Sequence, residues 1–401
     1  MSQPRWVAAI GAGREQEGAI RAAQRAGCRV VALDGDPTAP GLSIADAAVV
    51  VDLRDPRAVL NALRPWPVRA VAPAPVGRIL GTIGAVNDAL GMRGPSADSA
   101  MCCADKVRFH AALAAADLPR AEQRVASGRE AIVRAVDEVG LPCVLKPARG
   151  SGSRGVVLVQ PGDDVENAIS AHLEVEPETT LVETALQGPE VGVDAVVRNG
   201  VLHVVLVRDK ELTPPPHRQV LAYTAPSVHD PAPIEAVLQA ASTAVGLGDA
   251  MLHADVIMTA GGPVVVEMAP RPAGLLLAER LVPALCDVDW MAWGVLLMLG
   301  EAPLAVPHPQ RAGALRFLEA RDGLVAAVPD VTRLAAMPGV VHAAVWCRVG
   351  DRLAPVCQAS DVLARGVVIT VGPTPHDANV AARVAVASHS IRIEEPIDVV
   401  H

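Results

Sequence analysis

The chain has 401 residues and a formal net charge of −9, from 35 Lys and Arg residues against 44 Asp and Glu residues. It has no dense block of Lys and Arg, which argues against a nucleic-acid surface, because such surfaces depend on a basic patch. Hydrophobic residues make up 51% of the chain but aromatic residues only 2%, so any base-binding pocket is expected to have an aliphatic lining.

The length predicts about two or three domains. The seven cysteines are scattered without a CxxC pair, so the sequence indicates neither a disulfide framework nor a zinc site. The chain does not begin with a signal-peptide pattern. Its uncharged apolar runs all fall short of the roughly 18 residues that a membrane span needs. We therefore expect a soluble, cytoplasmic protein without a membrane partner, and the sequence leaves a homodimer open.

The first hundred residues alternate short apolar runs with helical stretches. Strands are predicted at Trp6–Ile10, Arg29–Leu33, Ala47–Val51 and Arg69–Ala72, and helices at Glu15–Ala26, Pro56–Leu63 and Val76–Leu90. This alternation predicts βαβ units and a parallel sheet. We therefore expect an N-terminal α/β domain over residues 1–103, although Gly94-Pro95-Ser96 also marks a break.

A glycine-rich turn follows the first predicted strand. Gly11-Ala12-Gly13 opens a helix, and Asp34 ends the next strand, as in a dinucleotide-binding fingerprint. Gln16, however, stands where the third glycine of that fingerprint is expected. A tight strand–helix turn of an ordinary α/β domain explains the segment as well, so the turn does not by itself assign a function.

The pattern changes at about residue 104. Helices are predicted at Asp105–Ala115, Arg129–Val139, Pro231–Val245, Leu275–Leu281 and Asp289–Leu299. Two hairpins are predicted around Asn199-Gly200 and Gly261-Gly262, with strands Val191–Arg198, Val201–Arg208, Met251–Met258 and Pro263–Met268. A third region combines strands Val341–Arg348 and Gly366–Val371 with the helix Pro375–Ser388. The predicted domains are 1–103, 104–310 with a flap subdomain at about 120–185, and 311–401.

A second glycine-rich loop follows the predicted strand Cys143–Leu145. After Lys146 the chain continues to Gly150-Ser151-Gly152-Ser153 and then to another strand, Val156–Val159. Backbone N–H groups in such a loop can turn towards phosphate oxygens without steric cost. It is not a Walker loop, because no Gly-Lys-Ser/Thr ends it and no helix follows directly. Taken alone the loop fits a solvent-exposed hairpin equally well.

Two glutamates follow at a defined spacing. Glu183 ends an apolar strand, and Glu190 comes directly after Gly188-Pro189. With Lys146 and the glycine-rich loop before them, they give an order that resembles the ATP-grasp superfamily. The resemblance implies an ATP-grasp fold of mixed α/β and α+β class, with a Rossmann-like N-terminal domain and an α+β C-terminal domain.

The resemblance also implies how ATP is held. Glu183 is expected to accept a hydrogen bond from the adenine amine, and Glu190 to hold the ribose hydroxyls. The backbone of Ala185 and Leu186 is expected to read the edge of the ring. Gly150, Ser151, Gly152 and Ser153 would cover the phosphates as a flap.

A pair of acidic residues marks the expected metal site. Asp255 and Glu267 lie on two strands joined by a Gly-Gly turn and can face one cleft, where their hard oxygens would bind Mg²⁺, or Mn²⁺ in its place. The ATP-grasp pattern reads Glu-x-Asn-x-Arg here, but Ala269 replaces the Asn, so one oxygen ligand is missing. Asp255 itself replaces the more usual Glu. His253 is expected to face the opposite side of the strand from Asp255.

Four cationic residues complete the expected site. By resemblance, Arg271 contacts the acyl phosphate and the tetrahedral intermediate, where a planar guanidinium can bind oxyanions. Lys106 matches the lysine that touches the α-phosphate. Lys146 is placed to point at an α- or β-phosphate, and Lys210 to reach the γ-phosphate.

These features resemble the ATP-dependent carboxylate–amine ligases, and among them the L-amino-acid ligases that form dipeptides and related amides. The implied reaction activates a carboxylate as an acyl phosphate and couples it to an amine, releasing ADP and phosphate, with an amino acid as a substrate. Ala273-Gly274-Leu275 replaces a segment that is often Gly-Gly-Asp, which favours a substrate without a cationic or polar handle.

Three alternatives stay open. The glycine-rich N-terminal turn also resembles that of purine-pathway ATP-grasp ligases or carboxylases, which are the first alternative. Because the Asn is lost, the chain also fits a catalytically inactive, ATP-binding regulatory module. A nicotinamide oxidoreductase is the third, and it depends on the N-terminal glycines alone.

Overall fold

The computed structural model describes residues 4–150, 152–175 and 178–394. Its N-terminal part is a parallel sheet in the strand order β3-β2-β1-β4, flanked by helices. Its elements are β1 Trp6–Ile10, α1 Glu17–Arg25, β2 Arg29–Asp34, β3 Ala47–Val50, α2 Pro56–Leu63, β4 Val68–Val71, α3 Leu80–Leu90 and α4 Ala97–Ala104. The predicted βαβ alternation and parallel sheet are confirmed.

Two details of this unit differ from the sequence-based expectation. Helix α3 begins at Leu80 rather than Val76, because Gly77 lies at a bend and Arg78 and Ile79 form a turn before the helix, and glycine disfavours a helix interior. Helix α4 was not predicted. It follows Ser96, whose hydroxyl accepts from Ser99 N at 3.1 Å, so Gly94-Pro95-Ser96 leads into a capped helix.

The N-terminal glycine turn is closed by its own side chains. The carboxylate of Asp34 accepts from Ala12 N at 2.7 Å. Gln16 Nε2 donates to the carbonyl of Pro75 at 3.0 Å. Asp34 is therefore engaged within the turn, which supports a structural strand–helix turn rather than a ribose-binding acid.

A small antiparallel sheet in the order β5-β8-β6-β7 follows, covered by two helices. Its elements, with the preceding helix, are α5 Lys106–Ala115, β5 Gln123–Ala126, α6 Arg129–Val139, β6 Cys143–Pro147, β7 Val157–Val159, α7 Val165–Val175 and β8 Thr180–Thr184. Apolar residues from the strands and both helices form a separate core. The Gly-rich loop joins β6 to β7, so it projects from the edge of a rigid unit.

The largest sheet is antiparallel and has the order β13-β12-β9-β10-β11-β14-β18-β16. Its central elements are β9 Glu190–Arg198, β10 Val201–Leu212, β11 Val220–Ala225, α8 Pro231–Ala244, β12 Ala250–Thr259, β13 Gly262–Ala269, α9 Val282–Cys286 and α10 Trp290–Leu299. The two predicted hairpins are β9–β10 and β12–β13, and both are confirmed.

The last part of the chain completes this sheet. Its elements are β14 Ala312–Phe317, β15 Gly323–Ala327, α11 Val331–Ala335, β16 Val340–Val345, β17 Arg352–Leu353, α12 Ala359–Leu363, β18 Gly366–Gly372, α13 Pro375–Ser388 and β19 Arg392–Ile393. Strand β14 pairs with β11, so residues on both sides of the predicted division at 311 share one sheet. Strands β17, β15 and β19 form a small separate sheet.

The segment between β13 and α10 contains an unusual helical turn. Leu275 and Leu276 have φ values of 56° and 62°, in the left-handed region, so the predicted helix from Leu275 cannot begin there. A π-helical turn covers Leu277–Leu281 instead. The helix predicted at Asp289–Leu299 is confirmed as α10, and it is buried, with Trp290 only 1% exposed.

Within the described residues, no helix by itself has the length and apolar character to cross a membrane. Two consecutive segments, Leu277–Cys286 and Trp290–Leu299, meet that test only when joined, and they are bent by 101° at their junction.

Candidate active site

A cavity of about 630 Å³ opens where the parts of the molecule meet. The N-terminal unit contributes Glu15 and the turn at Pro75–Gly77, and the flap sheet contributes its inner face. The large sheet forms the floor, and helix α12 from the C-terminal region adds Ala359 and Leu363. Among the described residues the cavity includes these predicted site residues: Lys106, Lys146, Gly150, Gly152, Ser153, Glu183, Ala185, Leu186, Glu190, Lys210, Asp255, Glu267 and Arg271. Ser151 lies outside the described residues.

Lys146 is held by a buried ion pair. Its Nζ lies 2.6 Å from Glu183 Oε2, and both side chains are almost fully buried. His110 Nε2 lies 3.1 Å from the other carboxylate oxygen of Glu183. Burial alone would raise the pKa of Glu183, but Lys146 and His110 outweigh it and lower that pKa. The carboxylate is therefore charged, and it fixes the ammonium of Lys146 at the cavity wall.

This pairing adds a role for Glu183 that the sequence did not suggest. Resemblance predicted it as an acceptor for the adenine amine, whereas its carboxylate is already engaged with Lys146. The adenine contact stays a prediction. His110, on α5, was missed, because a histidine on a helix otherwise rich in alanine gives no signal without its distant partner in β8.

The expected hinge at Ala185 and Leu186 borders the cavity. The N–H of Ala185 donates to the carbonyl of Pro142 at 3.0 Å, which ties the hinge to the start of β6. The walls nearby are aliphatic, with these residues in the lining: Val144, Val156, Leu158, Leu186, Ile257 and Val265. The expectation of an aliphatic base-binding pocket therefore fits this end of the cavity.

Lys210 joins two carboxylates on neighbouring strands. Its Nζ lies 2.6 Å from Glu190 Oε1 and 2.7 Å from Asp255 Oδ1. Burial would lower the pKa of Lys210, but the two carboxylates outweigh it and raise the pKa. Burial would likewise raise the pKa of Asp255, but Lys210 and His253 hold it at about 2. Lys210 is therefore a charged residue on the floor of the site.

Asp255 and Glu267 are directly opposite one another on β12 and β13. Both carboxylates are partly exposed to the cavity, as expected for a pair that shares a cleft. Their hard oxygens fit Mg²⁺ chemistry when a triphosphate supplies further oxygens. Ala269, two positions after Glu267, is buried and brings no oxygen. Within the described part of the chain, no group of three or more His, Cys, Asp or Glu side chains could hold a metal ion.

The expectation for His253 is wrong. Side chains two positions apart on a strand share a face, so His253 faces the same side as Asp255. Its Nε2 lies 3.5 Å from Asp255 Oδ1, and the ring borders the cavity. Burial lowers the pKa of His253 to about 3, so the imidazole is neutral near pH 7.

A buried ion pair lies behind His253. Arg208 Nε donates to Asp194 Oδ2 at 2.8 Å, and the two side chains are 0% and 1% exposed. Arg208 also lies over the ring of Tyr223, 5.2 Å from its centre. The Asp194–Arg208 pair was not predicted from the sequence, although polar residues at alternating positions of two otherwise apolar strands were an available signal.

Lys106 holds the first residue of the glycine-rich flap in place. Lys106 Nζ donates to the carbonyl of Gly150 at 3.2 Å and lies 3.7 Å from Glu267 Oε2. Gly150 has φ +150° and Gly152 has φ +69°, conformations that glycine adopts readily. The carbonyl of Gly152 accepts from Ala359 N at 3.1 Å, so the flap contacts the C-terminal region.

Arg271 lies at the end of the cavity away from the hinge. Its Nη1 donates to the carbonyl of Pro272 at 3.0 Å, and its Nε is buried without a hydrogen-bond partner among the described residues. Burial lowers the pKa of Arg271, an effect opposed by Glu267, Asp255 and Glu15. The Nε–H of Arg271 is therefore available to donate a hydrogen bond to a bound anion. Glu15, which also borders this end, was not predicted from the sequence. Arg218, which was not predicted either, lines the cavity beside Glu190, with its Nη2 3.7 Å from Glu190 Oε2.

Two family models match the chain. An ATP-grasp domain matches residues 139–279. L-amino acid ligase C-terminal domain 2 matches residues 316–394. Both matched segments contribute to the cavity, the first through the flap sheet and the acidic strand pair, and the second through α12.

Two curated relatives share part of the chain. The Sinorhizobium fredii protein y4rH is 31% identical over 321 residues, which cover 77% of this chain and 65% of that protein. The formate-dependent phosphoribosylglycinamide formyltransferase of Burkholderia cenocepacia is 34% identical over 165 residues, which cover 40% of this chain and 41% of that protein. The chain thus spans less than two thirds of the length of either relative.

A solved structure matches nearly the whole chain. The L-amino acid ligase from Bacillus licheniformis superposes with a TM-score of 0.83 at 17% identity, covering 98% of this chain and 100% of that one. At this identity the likeness establishes the fold alone. The predicted fold class is confirmed, with a parallel N-terminal sheet and a large antiparallel sheet. The chain therefore has an ATP-grasp fold and combines an ATP-grasp domain, matched over residues 139–279, with an L-amino acid ligase C-terminal domain, matched over residues 316–394.

Proposed function

We propose that this protein is an ATP-dependent carboxylate–amine ligase. It would activate a carboxylate as an acyl phosphate and couple it to an amine, releasing ADP and phosphate, with an amino acid as a substrate. The observation that carries the proposal is the convergence of three lysines, an opposed carboxylate pair and one arginine on a single cavity. Phosphoryl transfer needs mainly such positioning and charge neutralisation.

The first step depends on charge placed along the cavity. Lys106, Lys146 and Lys210 would neutralise the triphosphate, since all three ammonium groups border the same space. Asp255 and Glu267 would hold Mg²⁺, or Mn²⁺ in its place, and the bound ion would neutralise charge on the transferred phosphoryl group. Lys210 would then exchange its contact with Asp255 for one with phosphate oxygen.

The second step occurs at the Arg271 end. A planar guanidinium with a free N–H can bind the oxygens of an acyl phosphate and of the tetrahedral intermediate that an amine forms from it. Water must be kept out, because hydrolysis of the acyl phosphate competes with amide formation. The flap and α12 would close the cavity, which fits the hydrogen bond between Gly152 and Ala359.

The amino-acid substrate is supported by the C-terminal match to an L-amino acid ligase domain. The lining after Arg271 consists of Gly274, Leu275 and Leu277, opposite Pro75 and Val76. These side chains favour an aliphatic substrate group over a cationic or strongly polar one. Efficient use of a basic amino acid in preference to aliphatic ones would contradict this part of the proposal.

One observation favours a second candidate, an ATP-binding module without turnover. Ala269 provides no metal ligand where the family pattern has Asn, so the metal site is one oxygen short. A purine-pathway-like ligase or carboxylase is a third candidate, supported by the partial identity to the phosphoribosylglycinamide formyltransferase. The products of the reaction distinguish these candidates from our proposal, because the module without turnover forms none and a purine-pathway-like enzyme forms a different one.

A phosphate-release screen over pairs of amino acids, followed by mass spectrometry of the products, tests the proposal. We expect ADP, phosphate and an amide product with at least one pair. Glu267→Gln removes a charged metal ligand, so we expect turnover to fall at least about 100-fold, which corresponds to an increase of about 3 kcal/mol in the activation barrier. Unchanged turnover in that variant would refute the metal assignment. ATP binding without ADP release from any mixture would favour the inactive module.

A further inference from the structure

Glu15 has no role in the site described so far. It lies in the single helical turn Arg14–Gln16, directly after the N-terminal glycines, and it borders the cavity. It is exposed, and its carboxylate has no hydrogen-bond or ion-pair partner in the part of the chain that the structure describes. A charged group that faces a substrate cavity without a partner is available for a ligand.

The turn that carries Glu15 is held in place. Gln16 Nε2 donates to Pro75 O at 3.0 Å, and Ala12 N donates to Asp34 at 2.7 Å. A Cβ atom added at Gly11 would meet Val76 at 3.6 Å, so the turn packs against the loop that also lines the cavity. Glu15 is therefore presented from a fixed support rather than from a mobile loop.

The carboxylate lies across from the Arg271 segment. A Cβ atom at Gly274 would be 3.5 Å from Glu15 Oε1, so the carboxylate lies over this glycine. An alanine Cβ at 274 would therefore make an ordinary van der Waals contact with this carboxylate. Glu15 is also close enough for its charge to act on Arg271. One free anion and one cation with a free N–H thus meet at the same end of the cavity.

This arrangement complements a zwitterion. An α-amino acid carries an ammonium group and a carboxyl group on neighbouring atoms, and charge-assisted hydrogen bonds to each would fix its orientation. Between the two charged residues the wall is apolar, formed by Pro75, Val76 and Leu275. The aliphatic side chain of a bound amino acid would therefore contact an apolar wall.

We propose that Glu15 binds the protonated amino group of an aliphatic amino-acid substrate whose carboxyl or acyl-phosphate oxygens are held by Arg271. The inference rests on the proposed ligase function and adds the substrate class to it. The amino group would belong either to the amino acid that is activated, where it stays protonated, or to the one that attacks, where it binds as an ammonium group and passes a proton to the Glu15 carboxylate before its nitrogen attacks the acyl phosphate and displaces phosphate. Both sources present the same ammonium chemistry to Glu15.

Binding measurements on the full-length protein test this inference directly. The probes are L-leucine and its des-amino analogue 4-methylpentanoate, titrated by calorimetry in the presence of Mg²⁺ and a non-hydrolysable ATP analogue. We expect Glu15→Gln to weaken leucine binding about 10- to 100-fold, since a charge-assisted hydrogen bond is lost, and to leave 4-methylpentanoate unchanged. Glu15→Asp, which keeps the charge at a shorter reach, is expected to lie between.

Glu17→Gln is the matched control, because Glu17 is two positions further along and does not border the cavity. It should bind both probes as the native protein does. Equal binding of leucine by the native protein and by Glu15→Gln would overturn the inference, as would native protein that binds neither probe. ATP-analogue affinity and thermal unfolding should be unchanged in Glu15→Gln, which shows that the variant is folded.

Hydroxylamine distinguishes the two sources of the amino group. It replaces the amine substrate, so hydroxamate formation reports on the activated amino acid alone. If Glu15 holds the activated amino acid, Glu15→Gln raises the KM for leucine in this assay about 10-fold or more. If Glu15 holds the attacking amine, hydroxamate formation is normal and only amide formation suffers. Native protein that binds leucine through Glu15 but releases no ADP would refute the ligase function while leaving the binding inference intact.

Discussion

Lys146 and Glu183 form an ion pair that water scarcely reaches, with side-chain exposures of 5% and 7%. Breaking such a pair is costly, because the remaining charge stays buried without compensation. Lys146 was predicted from its place before the Gly-rich loop, and Glu183 from its place before the hinge. Their contact was not predicted, because it joins residues far apart in sequence across β6 and β8.

Glu183→Gln should lower stability and ATP affinity together. We expect a loss of about 3 kcal/mol in the free energy of unfolding, because the Lys146 ammonium is left uncompensated, and an ATP affinity at least about 10-fold weaker. Thermal unfolding and ATP-analogue titration measure the two effects. The double variant K146M/E183Q should recover most of the stability but not the affinity. A single variant as stable as the native protein would show that the pair is not needed for folding.

The acidic strand pair is set by the register of one hairpin. The register set at the turn, where Thr259 pairs with Gly262, would by itself place Asp255 opposite Val266, but a β-bulge beside Asp255 shifts the register by one residue and brings Glu267 opposite it. Strand alternation could be predicted from the sequence, whereas this bulge could not. The same alternation should have placed His253 beside Asp255, and that prediction failed because the period of two was misapplied. Ala269 shares the face of Glu267 for the same reason.

Ala269→Asn should therefore strengthen metal binding. The new amide oxygen would supply the ligand that the family pattern contains, and we expect the Mg²⁺ concentration for half-maximal turnover to fall several-fold. A magnesium titration of ADP release measures it. Ala269→Leu is the matched control, since it adds similar bulk without an oxygen. An equal or higher magnesium requirement in Ala269→Asn, with normal folding, would contradict the assignment of this face to the metal.

Packing between the π-helical turn and α1 places Glu279 against Gly18. A Cβ atom at Gly18 would lie 2.2 Å from Glu279 Oε1, so a larger residue at 18 would require this carboxyl to move. Burial raises the pKa of Glu279 to about 7, with Glu15 and Glu17 adding to the rise and Arg280 opposing it. The neutral acid is thus favoured in the folded protein.

This pKa makes stability depend on pH. An acid whose pKa is raised in the folded state does not destabilise the fold at pH values well below its unfolded pKa near 4.5. As pH rises from about 4.5 to about 7 it destabilises the fold progressively, and at higher pH the effect is constant because the acid is ionised in both states. At pH 5 we expect Glu279→Gln to be about as stable as the native protein. At pH 8 we expect its free energy of unfolding to be higher by about 1–2 kcal/mol, so that it unfolds at a higher temperature. Thermal unfolding at the two pH values measures the difference. The same offset at both would refute this explanation.

At the scale of the whole molecule, the site is assembled from segments at both ends of the chain. The N-terminal turn borders one end of the cavity, and α12 of the C-terminal region borders the flap. The backbone hydrogen bond from Ala359 to Gly152 joins residues that are 207 positions apart, as 359 minus 152. We therefore expect the C-terminal region to affect how well the acyl phosphate is protected from water.

Ala359→Pro tests this contact. Ala359 is the first residue of α12 and follows the extended residue Gln358, so proline is tolerated there and removes only the N–H. We expect more ADP released per amide formed, with thermal unfolding unchanged. The measurement is the ratio of ADP to amide product. Ala359→Gly keeps the N–H and is the matched control. An unchanged ratio in Ala359→Pro would show that the contact does not protect the intermediate.

The sequence by itself determined the local elements and the order of the chemistry. Periodicity and turn residues placed the βαβ unit and both hairpins, because these depend on neighbours along the chain. The order of Lys146, the Gly-rich loop and the acidic strands indicated the superfamily. Among the predicted elements, the main departures were the later start of α3, after a bend at Gly77, and the π-helical turn, where Leu275 and Leu276 adopt left-handed conformations. Helix α4, which is capped by Ser96, was not predicted.

Only the tertiary structure decided which charges meet. The pair Lys146–Glu183 joins two strands of the small flap sheet, and the pair Lys210–Asp255 joins two strands of the large sheet, so both depend on strand order, which sequence spacing does not encode. The position of Glu15 over Gly274 depends on how the N-terminal unit packs against the segment after β13. The tertiary structure also brought β14 beside β11, so residues beyond 311 complete the sheet that carries the site. The glycine turn at the N-terminus is the clearest case. Its sequence suggested a nucleotide, whereas its packing presents a free carboxylate to the substrate end of the cavity.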